Sequence, residues 1–179
     1  MNRMIGLGLM ATASAAQAQA DFCAEVRNIA AAARETPPFA SVPRYPDRRP
    51  MLGHRACFIA QGPGLGFIRW FDGGARFVCD TPEDYVRERG WTDPENLMSR
   101  IATCLPQAVR PGPEYRDIAG RPLAGQPSPG WPRYNHYSSI YVDSGPLRFE
   151  YRTLHHSRFD RGWLTAYLRD ADAEPRLIR

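Results

Sequence analysis

Apolar spacing and capping residues predict helices in several parts of the chain. Residues 21–34 predict an amphipathic first helix, which carries Cys23 near its start and ends before the prolines that follow. A capping side chain followed by proline predicts two shorter helices, one over residues 81–90 and one that begins at Asp93. The latter places Cys104 in its buried last turn and ends at the next proline.

Short apolar runs bounded by turn residues predict two groups of strands. Residues 54–60, 65–71 and 75–79 are separated by glycine-rich turns and predict an antiparallel three-stranded meander. Residues 134–142 and 147–154 predict a second hairpin. We expect the meander and the hairpin to join into one antiparallel sheet with helices on one face.

The second hairpin turns at residues 143–146, and pairing Val142 with Leu147 sorts its side chains onto two faces. One face becomes apolar toward the turn and is the expected core. The other face carries tyrosine, arginine and glutamate, and we expect it to be exposed. Because tyrosine and arginine are enriched at protein interfaces, this row is a candidate binding surface. Its members are Tyr137, Tyr141, Arg148, Glu150 and Arg152.

The remaining segments are two proline-rich loops and the C-terminal region. Residues 36–50 predict an extended loop, and residues 106–133 predict a longer one with a short strand over 115–119. The apolar spacing over residues 161–169 predicts a closing helix that packs on the sheet. The polar tail, residues 170–179, is expected to fray.

The N-terminus has the pattern of a secretory signal peptide. Arg3 precedes a short apolar run and two Ala-Gln-Ala triplets within residues 1–20. The run is much shorter than the roughly 20 apolar residues of a membrane-spanning helix. The triplets leave cleavage open between Ala18 and Ala20, and we favour the bond before Asp21. We therefore expect a periplasmic or secreted protein whose mature chain has no membrane span.

The predicted fold class is α+β. We expect residues 21–179 to form a single domain whose antiparallel sheet is built from the meander and the second hairpin, with helices packed on one face and two disulfides.

Four cysteines predict two disulfides, because an exported chain meets an oxidising compartment. They are Cys23, Cys57, Cys79 and Cys104, and the sequence alone allows three connectivities. The middle strand of the meander would separate Cys57 from Cys79 by two gaps of about 4.8 Å, beyond the usual reach of a disulfide. We therefore favour Cys23–Cys57 and Cys79–Cys104.

Composition and the absence of known motifs exclude several classes of function. All 23 basic residues are arginine, and after removal of residues 1–20 the 22 that remain face 19 acidic residues, a formal charge of +3. So small a charge argues against nucleic acid as a partner. No CxxC pair, phosphate-binding glycine loop or GxSxG motif is present, so the sequence predicts no metal, no cofactor and no serine nucleophile.

One set of residues could nonetheless support hydrolysis. His136, Glu150 and Arg152 are the residue types of a general acid, a general base and an anion stabiliser, and they would suit phosphodiester cleavage. The predicted register, however, places His136 and Glu150 on opposite faces of the hairpin.

The function we expect is therefore an exported binding module rather than an enzyme. Its partner would be a protein, and it would act as an inhibitor or immunity protein on a secreted hydrolase. The alternatives are a small secreted basic hydrolase such as a ribonuclease, which predicts cleavage of RNA, and an envelope-associated structural protein, which predicts co-sedimentation with peptidoglycan.

Overall fold

One antiparallel sheet of seven strands, with two helices, is formed by the residues that the computed structural model describes. These residues are 6–44, 47, 49–52, 54–60, 75–80, 93–125, 136–155 and 160–169. The helices are α1 (Gly6–Ala32) and α2 (Pro94–Cys104), and the strands are β1 (Arg49–Met51), β2 (His54–Ala60), β3 (Arg76–Asp80), β4 (Glu114–Asp117), β5 (His136–Ser144), β6 (Leu147–His155) and β7 (Asp160–Leu168). The strand order is β1-β2-β3-β7-β6-β5-β4. The prediction of an α+β fold with a single antiparallel sheet is confirmed.

Both helices pack on one face of the sheet, as predicted. Their apolar side chains share one buried cluster with every second residue of the strands. The cluster includes Phe22, Val26 and Ile29 of α1, Leu97, Met98 and Ile101 of α2, and Cys57, Phe77, Val142, Phe149 and Leu164 of the sheet. Because side chains of a strand alternate between faces, the residues between these strand positions lie on the opposite face, away from α1 and α2.

Helix α2 starts as its sequence predicts. The side chain of Asp93 accepts a hydrogen bond from the backbone N–H of Asn96 at 3.1 Å, and Pro94 occupies the first turn, where no backbone donor is needed. Helix α1 also covers the predicted first helix, but it begins earlier, at Gly6, and continues without a break through the predicted cleavage bond. Cleavage there stays a prediction.

The predicted cysteine pairing is wrong. The outer strands of the predicted meander, 54–60 and 75–79, are present as β2 and β3, but the order that places a third strand between them is wrong. Strands β2 and β3 are direct neighbours, with Cys57 opposite Cys79, and these two residues form a disulfide with a Cα–Cα distance of 4.1 Å. No strand separates them, so the geometric objection to this bond disappears. Residues 65–71, the predicted middle strand, lie outside the described residues, as does the predicted helix over 81–90.

The second disulfide joins the two helices. Cys23 of α1 is bonded to Cys104 in the last turn of α2, at a Cα–Cα distance of 4.9 Å and a sequence separation of 81 residues. The two observed disulfides together replace the predicted bonds Cys23–Cys57 and Cys79–Cys104. The buried position of Cys104 in the last helical turn is confirmed. Each disulfide therefore ties together elements of one kind, strand to strand or helix to helix.

The second hairpin is confirmed, with its register displaced by two residues. Leu147 pairs with Ser144 instead of Val142. The turn contains only Gly145 and Pro146, with Gly145 at φ 59°, because Asp143 and Ser144 remain in the strand. The backbone N–H and C=O of Asp143 both bond to Val109 at 2.8 Å, which holds it there. An even displacement keeps every side chain on its predicted face.

The predicted closing helix is wrong, because residues 160–168 form strand β7. This strand lies between β3 and β6 and pairs with both, so it joins the β2–β3 pair and the second hairpin into one sheet. Its side chains alternate, with Leu164 and Ala166 in the core and Thr165 on the opposite face. Thr165 and the neighbouring aromatic residues Trp163 and Tyr167 are also residue types that favour strands.

The proline-rich loops are partly structured. Residues 36–42 form turns in place of an extended segment and bury Phe39 in the core, while 49–51 form β1. In the second loop the predicted short strand is present as β4, and the end of the loop lies outside the described residues. The tail, 170–179, lies outside them too. Among the described residues, no helix combines the length and the apolar character needed to cross a membrane.

Candidate functional site

The sheet face away from the helices carries a polar cluster at its centre, on the neighbouring strands β5, β6 and β7. We call this face the polar face. Its described members on these strands and on β3 include Arg76, Tyr137, Ser139, Tyr141, Asp143, Arg148, Glu150, Arg152, Thr165 and Tyr167. Strand alternation places all of them on one side, so long polar side chains from four strands meet there.

Glu150 lies at the centre of the polar face and is only 1% exposed. Its Oε1 accepts hydrogen bonds from Ser139 Oγ at 2.8 Å and from Arg152 Nε at 2.7 Å. Its Oε2 accepts one from the hydroxyl of Tyr167 at 3.2 Å. Both carboxylate oxygens are therefore occupied by neighbouring side chains of the same chain.

These partners keep Glu150 ionised in spite of its burial. Burial by itself would raise the pKa of Glu150, but the charge of Arg152, the hydrogen bonds from Ser139 and Arg152, and the charge of Arg76 together hold that pKa below its usual range. In Arg152, burial would lower the pKa, and the charge and hydrogen bond of Glu150 raise it instead. Glu150 and Arg152 thus form a buried ion pair in which each partner stabilises the charge of the other.

The tyrosines around this ion pair remain protonated. Burial and the negative charge of Glu150 raise the pKa of both Tyr141 and Tyr167 far above the ordinary value. Their hydroxyl groups therefore donate hydrogen bonds, Tyr167 to Glu150 and Tyr141 to Glu114 at 3.0 Å. Neither tyrosine is a candidate base.

A second charged group lies next to the turn of the hairpin. Asp143 binds Arg148 through two parallel contacts, Oδ1 to Nε at 2.7 Å and Oδ2 to Nη2 at 2.9 Å. Arg169, just beyond β7, places Nη1 at 3.1 Å from Asp143 Oδ2 and donates from Nη2 to the carbonyl of Gly145. The hydrogen bond with Asp143 raises the pKa of Arg148 and outweighs the opposing effect of burial. One carboxylate therefore fixes two guanidinium groups.

Two arginines of this face are stacked on tyrosine rings. The guanidinium carbon of Arg148 lies 4.4 Å from the ring centre of Tyr141, and that of Arg76 lies 4.1 Å from the ring centre of Tyr167. Such stacking restricts the long arginine side chains and adds a cation–π attraction. The face consequently presents arginines whose orientation is set before any partner arrives.

The five predicted binding residues do share the polar face, but the expectation that the whole row is exposed is wrong. Tyr141 and Glu150 are buried, at 4% and 1% exposure, whereas Tyr137, Arg148 and Arg152 are half-buried. Glu150 is covered because Arg152 and Tyr167 converge on it, and Tyr141 because Arg148 lies over its ring. The binding role of these residues stays a prediction.

The alternative catalytic set does not come together. His136 lies on the core side of β5, opposite His155, and the two rings stack with their centres 4.5 Å apart. Ser138 Oγ is 2.8 Å from His155 Nε2 on the same side. Glu150 and Arg152 are on the other face of the sheet. A carboxylate whose pKa is lowered and whose two oxygens are already bonded is also a weak proton acceptor.

Three important members of the polar face were missed from the sequence: Asp143, Arg76 and Tyr167. Asp143 had been assigned to a turn and Tyr167 to a helix, and Arg76 begins a strand whose neighbours were misassigned. Alternation over residues 163–168, with Leu164, Ala166 and Leu168 between more polar or aromatic positions, could have identified a strand there.

No cation site is indicated in the part of the chain that the structure describes, since no three His, Cys, Asp or Glu side chains there could hold a metal ion together. Comparison with protein-family models, with curated proteins and with solved structures gives no match to this chain.

Proposed function

We propose that this protein is an exported binding module that recognises a partner protein through the polar face, and that it acts as an inhibitor or immunity protein on a secreted hydrolase. The observation that carries the proposal is that the arginines of this face are held in place by buried carboxylates. Arg148 is fixed by Asp143 and Arg152 by Glu150, with 19% and 21% of their side chains still exposed. Arginine and tyrosine are the residue types that dominate binding energy at protein interfaces.

Preorganisation supports binding more than catalysis. An arginine that is already oriented loses little conformational freedom when a partner binds, so more of the contact energy contributes to affinity. A catalytic carboxylate would need a pKa near the working pH and an oxygen that can reach substrate. Glu150 has neither property, because its pKa is lowered and both oxygens are occupied.

Export supports a partner outside the cytoplasm. The N-terminal pattern of residues 1–20 is that of a signal peptide, and both disulfides of the fold are of the kind that persist in oxidising compartments. A disulfide-stabilised domain that binds a secreted hydrolase fits the same compartment.

Affinity capture with matched variants tests the proposal. The oxidised protein is immobilised and exposed to the exported fraction of its own organism, together with Arg148→Ala and the control Arg110→Ala, which removes an arginine paired with Glu95 beside α2. We expect one stoichiometric partner with the wild type and the control, lost with Arg148→Ala, and hydrolase activity that rises when the complex is dissociated. Recovery of no partner, or equal recovery with Arg148→Ala, would contradict the proposal.

The hydrolase alternative has its own test. The oxidised protein is incubated with RNA, and the same is done with Glu150→Gln and His136→Ala. We expect no cleavage. Cleavage that either substitution abolishes would establish the hydrolase in place of the binding module.

A further inference from the structure

The charges of the polar face are arranged in two layers. In the ion pair of Arg152 with Glu150, 21% of the arginine side chain is exposed against 2% of the glutamate. The side chain of Asp143 is 11% exposed, and the side chains of both its partners are more exposed, at 19% for Arg148 and 42% for Arg169. The carboxylates therefore lie beneath and the guanidinium groups lie outside.

The order is not uniform among the described ion pairs. In the pair of Arg116 with Glu114, on β4 at the edge of the same face, and in that of Arg110 with Glu95, the acid is the more exposed partner, whereas Arg121 is more exposed than Asp117. The layering on β5, β6 and β7 is thus a feature of the centre of the polar face. It presents a positive outer layer to solvent although nearly every charge has a counter-charge below it.

We infer that the partner bound by the polar face presents an acidic segment, whose carboxylates are received by the outer arginines Arg76, Arg148, Arg152 and Arg169. This inference rests on the proposed binding function and names the chemistry of the partner. The guanidinium group is planar and matches a carboxylate with two parallel hydrogen bonds, so arginine is suited to this ligand. Four arginines above two carboxylates also leave a net positive charge that attracts an acidic protein during encounter.

An acidic protein fits this face better than a nucleic acid does. Single-stranded nucleic acids bind largely by stacking bases on exposed aromatic rings. Here the rings of Tyr141 and Tyr167 are already covered by Arg148 and Arg76. Nucleic-acid affinity also depends on many phosphate contacts, and the two carboxylates below the arginines reduce the charge available for them.

Fluorescence anisotropy with a labelled octaglutamate peptide tests the inference on the full exported, oxidised protein. The decisive variant is Arg169→Gln, since Arg169 is well exposed and Asp143 keeps both contacts with Arg148 when it is replaced. The matched control is Arg110→Gln, another partly exposed arginine paired with a single carboxylate. Arg148→Gln is a stronger variant, and its fold is checked by circular dichroism.

We expect octaglutamate to bind, with affinity that falls as salt is raised, because exposed charges are screened. Arg169→Gln should weaken binding about fivefold and Arg110→Gln should leave it unchanged. Equal weakening by both variants would show attraction by overall charge and overturn the inference. So would tighter binding of a labelled RNA octamer that is weakened by the same substitution, since the ligand would then be a nucleic acid.

The binding function and the acidic character of the partner can fail separately. If a partner is captured through Arg148 but remains bound at high salt and octaglutamate does not bind, the binding function stands and the acidic partner is wrong. If no partner is captured and octaglutamate does not bind, both are wrong.

Discussion

At the scale of single residues, the buried charge of Glu150 is the least expected feature of the molecule. A carboxylate in such a position ordinarily keeps its proton, because burial disfavours the charged form. Here Arg152, Ser139 and Tyr167 supply the interactions that water would otherwise make. The sequence contained these residue types, but only the alignment of β5, β6 and β7 shows that they meet.

Replacing Glu150 by glutamine should destabilise the protein by about 3 kcal/mol, because the largely covered Arg152 side chain, 21% exposed, loses the carboxylate that balances its charge. Urea unfolding at neutral pH measures this change in the free energy of unfolding. The control is Glu95→Gln, which breaks an exposed ion pair and should cost less than about 1 kcal/mol. Equal stability of the two variants would mean that Glu150 is not a buried ionic partner of Arg152.

The effect of this substitution should depend on pH. The pKa of Glu150 is lower in the folded protein than in the unfolded chain, so its ionised form stabilises the fold above about pH 4, the ordinary pKa of glutamate. The contribution is lost as the pH falls through the lowered pKa of the folded state. The stability difference between the wild type and Glu150→Gln should therefore be full near neutral pH and shrink in acid. A difference that grows in acid would show that the pKa is raised.

Gly162 in β7 leaves room for the side chain of Tyr151 in β6. A Cβ atom at this position would lie 2.7 Å and 2.8 Å from ring carbons of Tyr151 and still closer to its hydroxyl oxygen. We expect Gly162→Ala to lower the free energy of unfolding by about 1–3 kcal/mol, since a packed ring must move. Gly112→Ala is the control, because a Cβ there meets nothing within 4 Å. Thermal unfolding compares them, and equal melting temperatures would contradict the contact.

At the scale of secondary-structure elements, the sequence predicts those features that depend on residues close together in the chain. The cap at Asp93 and the proline after it define α2, and the alternation of the second hairpin assigns its faces correctly. The sequence predicts a helix over 161–169 because the apolar residues there fit the helical and the strand period equally well over so short a length. Its strand conformation depends on pairing with β3 and β6, which are distant in sequence.

Mapping the two disulfides tests which secondary-structure elements lie next to each other. Tryptic digestion under non-reducing conditions should release one peptide pair linked through Cys23 and Cys104 and another through Cys57 and Cys79. Arginine separates each cysteine from the next, so mass spectrometry can distinguish all three connectivities. A linkage between Cys57 and Cys23 would agree with the pairing favoured from the sequence and would contradict the bond between Cys57 and Cys79.

At the scale of the whole molecule, the two faces of the sheet differ: one packs against the helices and the other carries the ion pairs. Its core face is covered by α1 and α2, which the Cys23–Cys104 disulfide ties together. Its polar face holds charges in pairs whose arginines point outward. The order of the strands, with β7 in the middle, brings residues from four strands to this face. That order could not be predicted from local patterns, which is why only part of the polar face was recognised in the sequence.

The claim that the polar face is the binding surface is tested most directly by site-specific photo-cross-linking. Tyr137 and Tyr115 are both half-buried tyrosines on adjacent strands, and they lie on opposite faces of the sheet. Each is replaced in turn by benzoylphenylalanine, and the exported protein is irradiated in its native compartment. We expect a covalent adduct with a partner protein from position 137 and none from position 115. An adduct from position 115 alone, or from neither position, would contradict binding through the polar face.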